Sequence, residues 1–325
     1  MISSKFASAK STSFDEIPII DISAIQTDED FVRIAEQLVH TAKTVGFFYI
    51  TGHGISAKLI EQALMTSKRF FELPASKKST VAVDKNQRGW MAQGMAQLEG
   101  SKTHDAKEVF FWGWDVSAND PDVRAGVPMV FPNQWPDDVA PFLRRDLTPY
   151  YDAVISLSRS VLSALAFGLG KPKDFFVKAY EIPLGRGQIV YYPPMSEEDE
   201  QQERFGAASH TDFGVLTVLL QDMQGGLQVL NQSGDWIEAP PIDGSFVCNI
   251  GDLLERWTNG ELVSTKHRVI NRNKTARYSI PVFCDPASKT IIDPADFSSG
   301  IEHHDKITAG EHIANRNRRN FAQYK

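Results

Sequence analysis

At 325 residues, with 42% hydrophobic and 23% charged side chains, the chain has the composition of a globular protein able to bury a substantial core. Its formal net charge of −7, with no basic stripe, argues against a nucleic-acid binder, and no apolar run reaches the length of a membrane-spanning helix. Two cysteines, Cys248 and Cys284, are too few for a secreted disulfide scaffold. Each sits in an apolar strand-like run and reads as a reduced, buried side chain of an intracellular, cytoplasmic protein, with a single disulfide between them left open.

In chain order, MISSKFASAKSTSF (1–14) lacks acids but also arginine and an apolar stretch, and predicts a flexible arm rather than a transit peptide. IPIIDIS (17–23) predicts a strand. In DEDFVRIAEQLVHTAKTVG (28–46), Phe31, Ile34, Ala35, Leu38, Ala42 and Val45 recur at helical spacing, with Gly46 as the stop. FFYITGHG (47–54) reads as a strand closing in a glycine turn. SAKLIEQALMTSKRFFELP (56–74) reads as a second amphipathic helix, capped by Ser56 and ended by Pro74. RGWMAQG (88–94) reads as a loop and KEVFFWGWD (107–115) as a strand. A long buried helix is expected over 147–170, finishing in glycines, and a shorter one in KDFFVKAY (173–180).

After Gly185 the pattern changes to short strands with turn residues between them: GQIVYYPP, VLTVLLQD, GGLQVL, DWIEAPP, SFVCNIGD, KHRVIN, ARYSIPVF and KTIID. Strands at this spacing predict a sandwich or barrel, and their number suits a jelly roll. The expected fold class is mainly β with α, a double-stranded β-helix (jelly-roll, cupin-like) core with a helical N-terminal region and a C-terminal helix. Its expected parts are an arm over 1–14, a helical and mixed region over 15–184 packed on the core, the core over 185–300 and a helix over 301–325, all one unit. Arg316, Arg318 and Arg319 in that helix read as a solvated face.

The stretch ASHTDFGVLTVLLQD raises a chemical question. His210 and Asp212 stand two apart just ahead of an apolar strand, so on extended backbone both side chains leave the same face. An H-x-D pair alone is a weak signal. Of the eight histidines, His40, His53, His104, His303, His304 and His312 fall in a helix, a turn, a polar loop or the charged tail, and read as surface or capping side chains. His267 differs, lying in STKHRVINRN, which is expected to double back as a hairpin into ARYSIPVF. There Arg277 and Ser279 share a strand face. A guanidinium facing a barrel interior needs an anionic partner, and its planar fork fits a carboxylate; the competing reading is a rim arginine beside a serine. Two imidazoles and one carboxylate, set in a run of short strands with open metal positions left over, make the facial triad of non-haem Fe(II) oxygenases. Three protein ligands leave room for a bidentate oxo acid and for dioxygen.

The ordered stretches IPIIDIS, VGFFYITGHGI, FFELP, RGW, DAKEVFF, VYYPP, SHTDFGVLTVLLQD, GGLQV, CNIGDLLERWTNG, STKHRV and RYSIPVF span nearly the whole chain. Through them it resembles the 2-oxoglutarate- and Fe(II)-dependent dioxygenases of the isopenicillin N synthase-like group. The resemblance implies that His210, Asp212 and His267 bind iron. It implies that Arg277 and Ser279 hold the distal carboxylate of 2-oxoglutarate and that Tyr192 adds a hydrogen bond to this cosubstrate. Many plant members carry asparagine two residues before that tyrosine; Val190 stands there in this chain, which removes one expected contact.

The implied reaction is oxidative decarboxylation of 2-oxoglutarate by O2 to succinate and carbon dioxide. It is coupled to hydroxylation, desaturation or ring closure of a small-molecule metabolite, with ascorbate as the reductant in vitro. Two rivals remain: an isopenicillin N synthase- or aminocyclopropane-carboxylate oxidase-type enzyme that works without 2-oxoglutarate, and a non-catalytic metal-binding jelly roll. Against the latter, structural zinc sites fill four protein positions, and only three ligands stand out here. In this family the RGW and KEVFFWGWD stretches border the substrate pocket. Val109 and Phe111 are then expected to face inward, Trp112 and Trp114 to pack, and Arg88 to anchor a substrate carboxylate or serve as a loop arginine. The expected substrate is a small carboxylated or heterocyclic metabolite of a tailoring, secondary-metabolic or catabolic pathway, and the expected assembly a monomer or homodimer.

Overall fold

The computed structural model describes residues 8–11, 16–97, 102–298, 300 and 303–320. The N-terminal half contains β1 (Ile19–Asp21), α1 (Asp28–Thr44), β2 (Phe47–Thr51), α2 (Ala57–Phe71), α3 (Ala75–Lys78), β3 (Gly89–Met91), β4 (Glu108–Gly113), α4 (Pro121–Arg124) and α5 (Phe142–Gly168). Next come β5 (Arg186–Tyr192), α6 (Glu197–Gln201), β6 (Ala207–His210), β7 (Leu216–Gln221), β8 (Leu227–Leu230), β9 (Trp236–Glu238) and β10 (Phe246–Ile250). The chain finishes with α7 (Asp252–Trp257), β11 (His267–Val269), β12 (Arg277–Cys284), β13 (Ile291–Ile292), β14 (Ile307–Thr308) and α8 (Ala309–Asn320).

An eight-stranded sheet runs in the order β1-β2-β10-β7-β12-β5-β4-β3, and a four-stranded sheet in the order β6-β11-β8-β9. Together with α8 they make the jelly-roll core and C-terminal helix. The alternation of side chains explains the layering. On β12, Ile280, Val282 and Cys284 join the apolar core under the helices, while Arg277, Ser279, Pro281 and Phe283 line an internal cavity. On β7, Leu216, Val218 and Leu220 face the helices, and Thr217 and Leu219 face the cavity. Helix α5 covers the outer face, packed on α1 and α2. Its Leu147, Val154, Val161, Leu162 and Leu165 are fully buried there, each contributing about 1.5–3 kcal/mol of apolar transfer energy.

Several sequence expectations are revised. RGW is not wholly a loop, because Gly89–Met91 pairs with β4 as an edge strand. The expected hairpin from His267 into Arg277 does not form: β11 pairs with β6 and β8, β12 with β5 and β7, and the link between them crosses from one layer to the other. KDFFVKAY forms a turn and a short 3-10 segment, Val177–Tyr180. Helix α5 starts at Phe142 and runs through Pro149; burial of Phe142 and Leu143 supports the extra turn that proline alone would discourage. Of the expected flexible arm, residues 1–7 and 12–14 lie outside the described residues. Lys10 is held against β9, its N–H donating to Trp236 and its carbonyl accepting from Glu238. Of the tail helix expected over 301–325, residues 301, 302 and 321–325 lie outside the described residues, and the helix begins only at Ala309, directly after β14. Both cysteines are free and buried, and among the described residues no helix is long and apolar enough to cross a membrane.

Candidate metal centre

Strands β6 and β11 pair so that His267 lies opposite His210, and their rings stand 4.3 Å apart. The strand β6 ends at His210, so Asp212 belongs to the crossing toward β7 rather than to an extended strand. It still converges on the histidines: Asp212 Oδ1 lies 3.8 Å from Nε2 of His210 and 3.6 Å from Nε2 of His267. The ligand atoms of all three residues fall within 4.8 Å of one another.

Each group is turned by a second contact. Nδ1 of His210 donates to the Ala208 carbonyl at 2.7 Å and Nδ1 of His267 to the Thr265 carbonyl at 3.2 Å, so both Nε2 lone pairs face the centre. Asp212 Oδ2 accepts from the Thr217 hydroxyl and, at 2.8 Å, from Asn249 Nδ2. Thr217 and Asn249 are register partners on β7 and β10, so the larger sheet holds one carboxylate oxygen and leaves the other to the histidines. The crossing itself is pinned by Asp285, which accepts the Val215 N–H at 3.0 Å and is ion-paired to Arg186 at 3.0 Å. Glycine is required at 214, where a Cβ would lie 1.9 Å from Asp285 Oδ1.

Electrostatics suit a divalent metal. Burial, aided by His267 and Lys107, holds the His210 imidazole down to about 3 against the pull of Asp212, so it is neutral and able to coordinate at neutral pH. Burial alone would raise the Asp212 carboxyl, but His267, His210 and the hydrogen bonds from Thr217 and Asn249 outweigh it and keep the group below the usual carboxylate range. Two imidazoles and one carboxylate form the donor set of a non-haem Fe(II) site with open positions.

Beside the triad is a cavity of about 70 Å³ whose walls include Tyr192, Arg277 and Ser279. Arg277 is 0% exposed. Its Nε donates to the Gly225 carbonyl at 2.7 Å, Nη2 donates to Gln221 at 3.2 Å, and the guanidinium lies 4.8 Å over the Tyr192 ring. Its Nη1 has no hydrogen-bond partner among the described residues. A buried, unmet guanidinium nitrogen is costly unless a ligand oxygen completes it, and Arg277 is therefore not the rim arginine of the competing reading. Lys107, which the sequence did not single out, also lines this cavity. Burial would lower its ammonium, but Asp105, Tyr192 and Asp212 together raise it, so it stays charged.

Val109 and Phe111 pair with Val190 and Gln188 and share their inner face, although neither lines the 70 Å³ cavity. Trp112 packs in the outer core and Trp114 against its edge. Arg88, open above between a substrate anchor and a loop arginine, does not line the triad cavity. It is buried, donates to the carbonyls of Asn86 and Gln87, and lines a separate cleft of about 540 Å³ with Trp114 and Leu184. Nor is Arg316 a merely solvated side chain. It is ion-paired to Asp252 at 2.6 Å and stacks 4.6 Å over Phe213, bracing the crossing from α8.

Comparison with known proteins agrees with this geometry. The family model for the N-terminal region of non-haem dioxygenases in morphine synthesis matches residues 17–138, and that of the 2OG-Fe(II) oxygenase superfamily matches residues 186–286. The 2-oxoglutarate-Fe(II) type oxidoreductase hxnY of Emericella nidulans is 36% identical over 275 residues, covering 82% of this chain and 78% of its own. A homoarginine-6-hydroxylase of Oryza sativa is 32% identical over 329 residues, covering 95% and 98%. The crystal structure of a full-length Neurospora crassa protein in complex with alpha-KG superposes with a TM-score of 0.81 at 29% identity, covering 95% of this chain and 99% of that one. The same Neurospora protein has also been solved with alpha-KG and thymine. The chain belongs to the 2-oxoglutarate- and Fe(II)-dependent dioxygenases of the isopenicillin N synthase-like family.

Proposed function

We propose that His210, Asp212 and His267 hold the Fe(II) ion of this dioxygenase, and that Arg277, Ser279 and Tyr192 hold its 2-oxoglutarate. The observation that carries the cosubstrate assignment is the buried Nη1 of Arg277, which has no hydrogen-bond partner among the described residues, on a side chain lining the cavity beside the triad. The enzyme oxidises a small molecule with O2 while 2-oxoglutarate becomes succinate and carbon dioxide. Bound iron supplies the oxygen activation, and the chain supplies position and shielding. His210 and His267 present ring nitrogens, Thr217 and Asn249 aim the Asp212 carboxylate, and Arg277 fixes the far end of the oxo acid through Nη1. The apolar walls, Val190, Leu219 and Leu227 among them, exclude water from the reacting end.

For the primary substrate we infer a carboxylated or heterocyclic metabolite, with Val109 and Phe111 shaping the inner face near it. A relative that hydroxylates homoarginine and a structural neighbour solved with thymine support that pair of classes. A tailoring, secondary-metabolic or catabolic setting in the cytoplasm, and a monomer or homodimer, complete this reading. The test is a metabolite panel screened for substrate-stimulated succinate release under Fe(II) and ascorbate, run beside His267→Ala. Turnover is expected in the wild type and absent in the variant; undiminished turnover in His267→Ala would remove the triad from the mechanism.

A further inference from the structure

Lys107 belongs to none of the groups assigned so far. It precedes β4, is 15% exposed, and its Nζ lies 2.9 Å from Asp105 Oδ2. Asp105 is 1% exposed, and its Oδ1 accepts the Ala208 N–H at 2.9 Å. The Ala208 carbonyl in turn accepts from Nδ1 of His210 at 2.7 Å. The ion pair is thus tied to the strand that carries a triad histidine, two residues from it. The β4–β5 register pairs Glu108 with Tyr191, and β5–β12 pairs Tyr192 with Arg277. Lys107 therefore comes level with Tyr192 on the cavity side, and the cavity wall carries a cation on either flank of that ring.

The two cations differ in what they offer. Arg277 is fastened to Gly225 and Gln221. Lys107 has three N–H donors, and among the described residues its one ion-pair partner is Asp105. Its remaining donors lie at the wall of a cavity that has to accept an oxo acid. Asp105 already balances the charge, so the contribution of Lys107 is directed hydrogen bonding more than net attraction.

Resting on the 2-oxoglutarate reading above, we propose that Lys107 is a cosubstrate-binding residue for the other end of the molecule. Its ammonium donates to the carboxylate adjoining the keto group, while Arg277 takes the distal one. The test is calorimetric titration of the Mn(II)-loaded protein with 2-oxoglutarate and with 2-oxobutyrate, an oxo acid that lacks the distal carboxylate; weak binding is followed by competition. Lys107→Met is expected to weaken both acids by about tenfold, the loss of one charge-assisted hydrogen bond, and Lys107→Arg to recover part of it. Mn(II) affinity should stay within about threefold, short of the roughly 10- to 100-fold loss that follows removal of a group hydrogen-bonded to a ligand, because Lys107 pairs with Asp105 rather than with a triad residue. The double variant Asp105→Asn with Lys107→Met removes both charges together, avoids a stranded buried carboxylate, and is expected to show the same loss. Binding of both acids within about twofold of wild type in these variants, a margin inside ordinary non-additivity, overturns the assignment. So does a loss confined to 2-oxoglutarate, which would place Lys107 at the distal carboxylate. A wild type that fails to bind 2-oxoglutarate at all would overturn the cosubstrate reading and this one with it, whereas equal binding by wild type and variants removes Lys107 alone.

Discussion

Replacing Arg277 by alanine takes away a guanidinium that lines the cavity beside the triad and whose Nη1 has no hydrogen-bond partner among the described residues. The side chain is wholly buried and held by Gly225, Gln221 and the Tyr192 ring, so it loses little freedom when a carboxylate docks. Removing one partner of such a buried charged contact costs on the order of 2–5 kcal/mol. At about 1.4 kcal/mol per decade, this weakens 2-oxoglutarate about 30- to 4,000-fold. Arg277→Lys should recover only part, because an ammonium cannot occupy both the Gly225 carbonyl and a ligand carboxylate with a planar fork. Metal affinity should hold, since none of the three triad residues is hydrogen-bonded to Arg277. The assay is succinate formed per substrate oxidised as 2-oxoglutarate is varied, with Mn(II) binding measured separately. Full-rate oxidation without 2-oxoglutarate would refute the reasoning and leave the oxidase reading in its place.

Two further predictions concern groups around the centre. Asn249→Ala leaves Asp212 Oδ2 with Thr217 alone, and metal affinity should fall by about 10- to 100-fold; an unchanged Mn(II) dissociation constant would show that the carboxylate needs no such support. His312, on α8, is pulled down to about 4 by burial and by Arg256 and Arg316, from an ordinary value of 6.5. Its unfolded form therefore binds a proton in that window that the folded form does not, so stability is full above about pH 6.5 and declines toward about pH 4. His312→Gln, which cannot charge, should flatten the fall of Tm over this range; equal slopes for both proteins would exclude His312 as its source.

The strands that build the cavity are legible because their side chains alternate. ARYSIPVF sends Ile280 and Val282 to the helices and Arg277 and Ser279 to the interior, and that period can be read without coordinates. Sheet membership cannot. The link after His267 is short enough for a hairpin, and only the pairing of β11 with β6 and β8 shows that it changes layers. Strands β3 and β6 are too short, at 3 and 4 residues, for a period to emerge. Thr217 and Asn249 did carry a signal, each being a polar residue at an interior position of an apolar strand, where a hydrogen-bonding duty is the physical expectation. Asp105 and Lys107 carried none. They lie in a mixed polar stretch, and only folding places them against β6. For Arg88 the residue type allows both a substrate anchor and a loop arginine, and only the fold shows its guanidinium donating within its own turn.

The histidines of the triad stand on the four-stranded layer, while Arg277 and Ser279 stand on the eight-stranded one. Facing sheets keep a separation of about 10 Å because their interdigitated side chains fix it. The gap therefore works as a ruler. On the cosubstrate reading proposed above, an acid gripped at the triad and at Arg277 together must have the length to bridge the two layers, and an analogue of another length forfeits one of the two contacts. What the enzyme consumes is then written into its scaffold.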